Sequence, residues 1–303
     1  MSTEQQLLQQ LINALSLGTI YALFALGYAL VFSVLGVLNL AHSAIFTSGA
    51  VIGLLLIIEW NVPLPLAFVG AMVGAGVLGI VLELVAFRPL RRRNAPRISQ
   101  LISSIGAALL IVNLTQLLFT TLFNTTEAYF PRGLIPDQPM QLGGGVSVQP
   151  INLIILAVSL ILMLLLQRLV NATRIGRQMR AVAFNQNTAR LLGINISRIY
   201  LLTFFLAGMF GGAGGLLYGL AFARVTPYMG QDIALVGLTA LVLGGLGSIP
   251  GAVIGGFLVA IFQTFSIVIG GSSYRDAIVF IFFFLILLVR PQGLLGHPEQ
   301  SRA

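Results

Sequence analysis

The chain has 303 residues, 57% of them apolar and only 8% charged, where an ordinary soluble domain is about a quarter charged. Sixteen basic and eight acidic residues cannot clothe a soluble fold of this size, so lipid is the expected solvent along most of the chain. Every basic residue is arginine, the formal net charge is +8 and cysteine is absent, which excludes thiolate chemistry, disulfides and cysteine-based zinc sites.

A spanning helix needs about 20 mostly apolar residues. Windows near 7–31, 34–58, 63–87, 98–123, 151–170, 198–222, 232–248, 250–270 and 275–290 qualify, the last three short or interrupted by Gly and Pro. The expected fold is all-α: a polytopic transmembrane helical bundle of 8–9 membrane elements, some broken or re-entrant, forming a single domain over residues 1–303. A cleavable signal peptide needs a basic leading region. The first basic residue here is Arg88, so residues 7–35 read as a retained span.

Arginines give the orientation. Five lie in Arg88–Arg97 and six between Arg168 and Arg198, which places both stretches in the cytoplasm. The positive charge therefore reads as membrane orientation and not as a nucleic-acid footprint. The loop 124–150, with Glu127, Arg132 and Asp137, is expected outside, and the C-terminus inside. The N-terminus is outside if 34–58 crosses fully and inside if that segment re-enters.

Within 34–58 the run Leu38-Asn-Leu-Ala-His-Ser puts Asn39, His42 and Ser43 on one face. Polar groups at that depth either line a route or bond to a neighbouring helix. Along 98–123, Ser99, Ser103, Gly106, Asn113 and Gln116 approximate a polar stripe beside Ser104. The pathway candidates are thus Asn39, His42, Ser43, Ser104, Asn113 and Gln116, with static packing as the competing account. Two His, His42 and His297, are too few and too distant in sequence for a metal cluster. No acid is expected at mid-membrane: Glu83 is read as paired or snorkelling at a helix end, and Glu59 and Asp232 as lying near outer ends.

The cytoplasmic segment 174–195 is too long for a minimal turn. Two short helices are expected, one near 177–184 and one capped by Asn187 and stopped by Gly193. Met179, Val182 and Ala183 form an apolar strip, Leu191 and Leu192 a second knob, and both must be covered by lipid, bundle or partner. Further on, Gly208, Gly211, Gly212, Gly215 and Gly219 make rows of small residues that let helix backbones approach closely. A phosphate-binding loop requires Lys, and the chain has none, so an ATP-driven process would need a separate subunit.

Several segments in order resemble the permeases of branched-chain amino acid importers of the ABC class. They are Ser16-Leu-Gly-Thr-Ile-Tyr-Ala-Leu, Leu38-Asn-Leu-Ala-His-Ser, Phe87-Arg-Pro-Leu-Arg, Gly176-Arg-Gln-Met-Arg-Ala-Val-Ala, Ala189-Arg-Leu-Leu-Gly-Ile-Asn and the Gly-rich stretch from Leu243. The match looks closer to the shorter of two paralogous permeases. The resemblance implies a bacterial inner-membrane protein without cofactors, paired with a paralogous permease or with itself. It further implies two ATPase subunits, a periplasmic substrate-binding protein, and alternating access for neutral amino acids. It makes Arg180, Ala183, Asn187, Ala189, Leu192 and Gly193 candidates for ATPase coupling. Two positions depart from the family pattern: Ser43 replaces a Gly, and Asn185–Asn187 replace an acid. A sister family of urea permeases shares much of the pattern, and a self-contained carrier or channel is the competing class.

Overall fold

Prolines mark where helices begin. Pro63 and Pro96 precede α3 (Leu64–Leu82) and α5 (Arg97–Phe123), and Pro150 opens α6 (Pro150–Ala172). At these positions a missing N–H costs nothing, because the first helical N–H groups have no intrahelical partner. The computed structural model describes residues 3–131, 133–136, 138–143, 146–270, 275–290 and 292–296; Arg132, Asp137 and His297 lie outside them. The other helices are α1 (Thr3–Leu35), α2 (His42–Ile58), α4 (Arg88–Arg92), α7 (Arg174–Phe184), α8 (Gln186–Leu191), α9 (Ile196–Ala221), α10 (Met229–Gly244), α11 (Ile249–Gly270) and α12 (Arg275–Val289). Among the described residues, six helices are long and apolar enough to cross a membrane, and α2, α10 and α12 are shorter apolar helices.

α1 is the axis of the bundle. It packs against α11, α9, α10 and α6, and its residues from Ile20 to Val31 are almost all buried, apolar on every side. The two ends of the bundle differ sharply. One end gathers the arginine-rich segments: α4 and α7 both lie there, and Arg91 stacks over the ring of Tyr200 near the start of α9. The opposite, far end carries a hairpin of β2 (Met140–Gly143) and β3 (Val146–Val148), together with a short ladder of β1 (Ala128–Tyr129) and β4 (Arg224–Val225). The Gln9 side chain accepts a hydrogen bond from Ser147 N at 3.0 Å, so α1 starts at the far end. It finishes at the arginine-rich end, where a side chain added at Gly36 would meet the Arg97 guanidinium at 3.7 Å.

The return path through 34–58 begins with six non-helical residues. Residues 36–41 climb back into the bundle without helix, and α2 begins only at His42. Backbone that leaves the helical ladder at membrane depth must be enclosed in protein. Here Ser104 of α5 accepts from Leu40 N at 3.2 Å, and Ser43 Oγ donates to Leu40 O at 3.0 Å. Segment 34–58 therefore traverses the bundle, and the N-terminal end of α1 sits on the side of the 124–150 loop.

α10 starts inside the bundle as well. Gly230 N donates to Thr47 Oγ1 at 3.0 Å. Thr47 lies in the second turn of α2, about 16 Å below Ile58 at 1.5 Å per residue. Lower down, Gly237 lies against the ring of Phe24. The first turns of α2 and α10 thus meet near mid-depth, level with the middle of α1.

Such an arrangement needs backbones in contact. Along α9, Gly212 faces Gly49 of α2 on one side and Ala75 of α3 on the other, while Gly215 lies on the Phe46 carbonyl and Gly208 on the Ala75 carbonyl. Gly211 accommodates the His42 ring, and Gly219 adjoins Phe130 and Val225. The small-residue rows are filled on both sides of α9. Gly215→Leu is expected to destabilise the fold by about 1–3 kcal/mol through overpacking, read as lost monodisperse protein in size-exclusion chromatography. Gly106→Ala on α5, where a side chain meets nothing within 4 Å, is expected to be neutral in the same assay.

Candidate functional site

Asn39, His42 and Ser43 converge, but in the interior. His42 is fully buried between Gly27 of α1 and Gly211 of α9, with its ring centroid 5.0 Å from Phe24 and 5.1 Å from Tyr28. The His42 ring meets the Phe24 backbone, whereas Asn39 Oδ1 and the Tyr28 hydroxyl lack a hydrogen-bond partner among the described residues. The three residues line no open surface of the single chain; they form the hub where α1, α2 and α9 cross.

The stripe expected along α5 is divided between neighbours. Ser104 is buried toward Leu40, and Ser103 Oγ donates to the Ala86 carbonyl at 3.1 Å. Asn113 projects from the opposite side of the helix and is exposed, its Nδ2 donating to its own Leu109 carbonyl at 2.7 Å. Gln116 Oε1 accepts from the Tyr228 hydroxyl at 2.5 Å. A single water-filled lining through Ser104, Asn113 and Gln116 is therefore not what the helix presents, because nine residues separate Ser104 from Asn113 and turn the helix by half a revolution.

Asp232 lies within electrostatic reach of Arg224, which pairs with Glu127 at the far end. It lies in the first turn of α10, whose start is held on α2 near mid-depth, and its side chain is exposed on the flank of the bundle. It makes no ion pair or hydrogen bond with a described residue. A carboxylate facing lipid is costly, more so the farther it lies from the membrane surface. This flank of α5 and α10 is thus poorly suited to lipid.

At the arginine-rich end three polar side chains cap three consecutive helices. Thr173 Oγ1 accepts from Gly176 N at 3.1 Å, Asn185 Oδ1 from Thr188 N at 3.0 Å and Asn195 Oδ1 from Arg198 N at 3.1 Å. The cap of α8 is therefore Asn185 and not Asn187. α7 runs on to Phe184, leaving Asn185 extended at the junction and Asn187 inside the next turn. Gly193 ends α8 with a φ of +80°, a left-handed conformation that favours glycine.

These caps fix which side chains face outward. Met179 and Val182 are buried in the bundle's own core, as is Ala189, while Ala183 is half-buried. The Arg180 guanidinium donates to the Val170 carbonyl and clamps α7 to the end of α6. What remains outside is apolar and large: Phe184 is 80% exposed, Leu191 88% and Leu192 73%. Leu191 and Leu192 were legible in the sequence as a knob. Phe184 was not, because it ends α7 and falls off the apolar strip. Arginines 174, 177, 180 and 190 lie in the same segment, and no acid occurs in the sequence between Asp137 and Asp232.

Beside this face lies a buried ion pair. α3 ends in a π-helical turn, Glu83–Phe87, and the wholly buried Glu83 carboxylate pairs with Arg91. Arg91 lies 4.1 Å above the Tyr200 ring centroid, and the Phe87 and Phe204 rings are 4.9 Å apart. The Ser103 hydroxyl bonds to a carbonyl of the π-helical turn, and such turns recur at functional sites. No local sequence signal joins Arg91 to Tyr200.

Comparison with known proteins decides the family. Residues 10–288 match the family described as branched-chain amino acid transport system / permease component. The chain belongs to that permease family. It is 33% identical over 303 residues to the high-affinity branched-chain amino acid transport system permease protein BraD of Pseudomonas aeruginosa, covering 97% of both chains. The corresponding LivH protein of Escherichia coli K12 is 34% identical over 304 residues, again covering 97% of both. A probable LivH of Methanocaldococcus jannaschii is 26% identical, over 94% of this chain and 91% of that one. The permease is accordingly a multi-pass membrane transport component that works within a transport system.

Removing one member of a buried ion pair leaves a charge uncompensated and destabilises by about 3–5 kcal/mol. Arg91 is partly exposed, with a side-chain exposure of 23%, so Glu83→Ala in the permease is expected to fall at the lower end, about 3 kcal/mol. Thermal unfolding of the detergent-solubilised protein checks this, with exposed Arg92→Ala as a neutral control.

Proposed function

We propose that this permease is the membrane subunit of an ATP-driven importer for branched-chain or other neutral amino acids, moved by ATPase subunits that dock on α7 and α8. The observation that carries this reading is the exposed Phe184, Leu191 and Leu192 cluster at the arginine-rich end. Three large apolar side chains on capped, rigid short helices suit a groove on another protein. The positive-inside rule puts that end in the cytosol of a bacterial inner membrane, with the 124–150 loop and the start of α1 outside and the C-terminus inside.

The chain has no lysine and hence no phosphate-binding loop of its own, which supports an engine on a separate subunit. The names of the relatives, high-affinity branched-chain amino acid permeases, support the substrate class. The polar flank of α5 and α10 faces a second permease chain, a paralogue or a copy of this one, across the route, and a periplasmic binding protein delivers substrate to the far end. Of the residues read from the sequence as coupling positions, Leu192, Asn187 and Ala183 belong to the docking face. Ala189 and Arg180 hold that face to the bundle, and Gly193 makes the turn behind it.

Phe184→Asp and Leu191→Asp are expected to reduce co-purification of the ATPase subunits at least tenfold while the permease remains monodisperse in detergent. Normal assembly and uptake by these variants would rule out the docking face. Uptake driven by an ion gradient in vesicles lacking the ATPase would rule out the energy source.

A further inference from the structure

Tyr200 stands where three segments meet. The Arg91 guanidinium lies over its ring at 4.1 Å. Its hydroxyl meets the Gln186 side chain of α8, and Arg190 of α8 lies within electrostatic reach. Arg91 in turn pairs with the wholly buried Glu83, the first residue of the π-helical turn that ends α3. The turn is also held from α5, where Ser103 Oγ donates to the Ala86 carbonyl at 3.1 Å. A series of side chains, Gln186, Tyr200, Arg91 and Glu83, thus runs from the docking segment to the end of α3. Within α8 the buried residue is Ala189, and Gln186 adds a polar hold on a membrane helix.

Two observations separate this series from a static brace. The ion pair is half made: Glu83 Oε2 and Arg91 Nη1 are buried and have no hydrogen-bond partner among the described residues. A buried polar network rigidifies a fold when every member is satisfied. A pair joined through one oxygen and one nitrogen keeps a second arrangement open. The carboxylate also sits on a π-helical turn, where the helical ladder is loosened and helices bend. The pair therefore grips a hinge between α3 and α4, and α8 reaches that hinge through Tyr200.

We infer that Gln186 and Tyr200 are positioning residues that pass displacement of the docking segment to the π-helical hinge of α3. This rests on the docking of ATPase subunits at α7 and α8, and it names the side chains through which that docking reaches the membrane helices. When α8 is displaced, the Tyr200 hydroxyl follows Gln186 and the ring shifts beneath Arg91. The Arg91–Glu83 pair then re-forms with the hinge at a different angle. Without the Gln186 contact α8 stays docked but no longer pulls on α3.

Tyr200→Phe keeps the ring beneath Arg91 and removes the hydroxyl, and Gln186→Leu removes its partner from an exposed position. Both are tested in the full complex, with ATPase subunits and binding protein, in proteoliposomes. Each variant is expected to keep ATPase co-purification and ATP hydrolysis within about twofold of wild type. Leucine taken up per ATP hydrolysed is expected to fall at least about fivefold in each, and no further in the double variant. An unchanged ratio in either single variant overturns the inference, as does a further fall in the double variant. Uptake and hydrolysis lost in parallel, or lost co-purification, also overturn it, because the contact then serves the fold or the docking itself. If Tyr200→Phe does not fold, Gln186→Leu alone decides. Normal assembly and uptake in Phe184→Asp, or a wild-type complex that moves no leucine, sinks the reading on which the inference rests, and does so with Gln186 and Tyr200 intact.

Discussion

In hydrocarbon there is no water to bond a free N–H or C=O, and this bundle contains a stretch of chain, residues 36–41, that is not helical at membrane depth. Enclosing that stretch dictates much of what surrounds it. α5 supplies Ser104 to the Leu40 amide. α9 comes in through glycines until its backbone touches that of α2. α10 ends its approach against Thr47, and α1 stays apolar on all sides because it lies between these helices. The Gly row of α9 is a consequence of the break in the neighbouring segment as much as of any preference of α9 itself.

The same geometry divides the molecule into an interior that is closed and two outer faces that are not. His42 and its neighbours belong to the interior, where their role is to fix the crossing of three helices. The two outer faces are of different kinds. At the arginine-rich end, caps at Thr173, Asn185 and Asn195 hold an apolar, basic surface rigid. On the flank, α5 and α10 expose a carboxylate and amides at a depth where lipid offers them nothing. Between the faces runs the stack of Glu83, Arg91 and Tyr200, which packs the end of α3 onto α9 next to the docking segment.

Much of this was legible in the residues. Each of the nine apolar windows holds a helix, though not over its full length, and the arginine clusters share one end, because both depend on local composition and on the cost of burying charge. The amphipathic insert was visible for the same reason, and Gly193 stopped its second helix as a left-handed glycine should. What the sequence hid was direction. The strip of Met179 and Val182 turned inward, leaving Phe184 outside, since periodicity shows that a face is apolar but not which neighbour covers it. Asn185 and Asn187 are equally good caps in isolation, and only the length of α7 chooses between them. A span counted by hydropathy is assumed to begin at the membrane surface, whereas α10 begins against Thr47 inside the bundle. The Tyr228–Gln116 and Arg91–Tyr200 contacts join residues more than a hundred positions apart and leave no trace in local pattern.

The position of α1 bears on how the chain is made. Among the described helices α1 comes earliest in the chain and is the axis, yet its most extensive partners, α9 and α11, lie after residue 195. It must therefore sit in the bilayer, or beside the insertion machinery, until most of the polypeptide has followed. Its own hydroxyls make the wait inexpensive: Ser16, Thr19 and Ser33 each bond to a carbonyl of the same helix, at 3.2, 2.8 and 2.9 Å. Tyr21 instead reaches Gln263 across the finished bundle at 2.8 Å, a bond that exists only after the last helices arrive. Biogenesis of this protein is thus a matter of keeping its central strut soluble in lipid while the wall around it is still being translated.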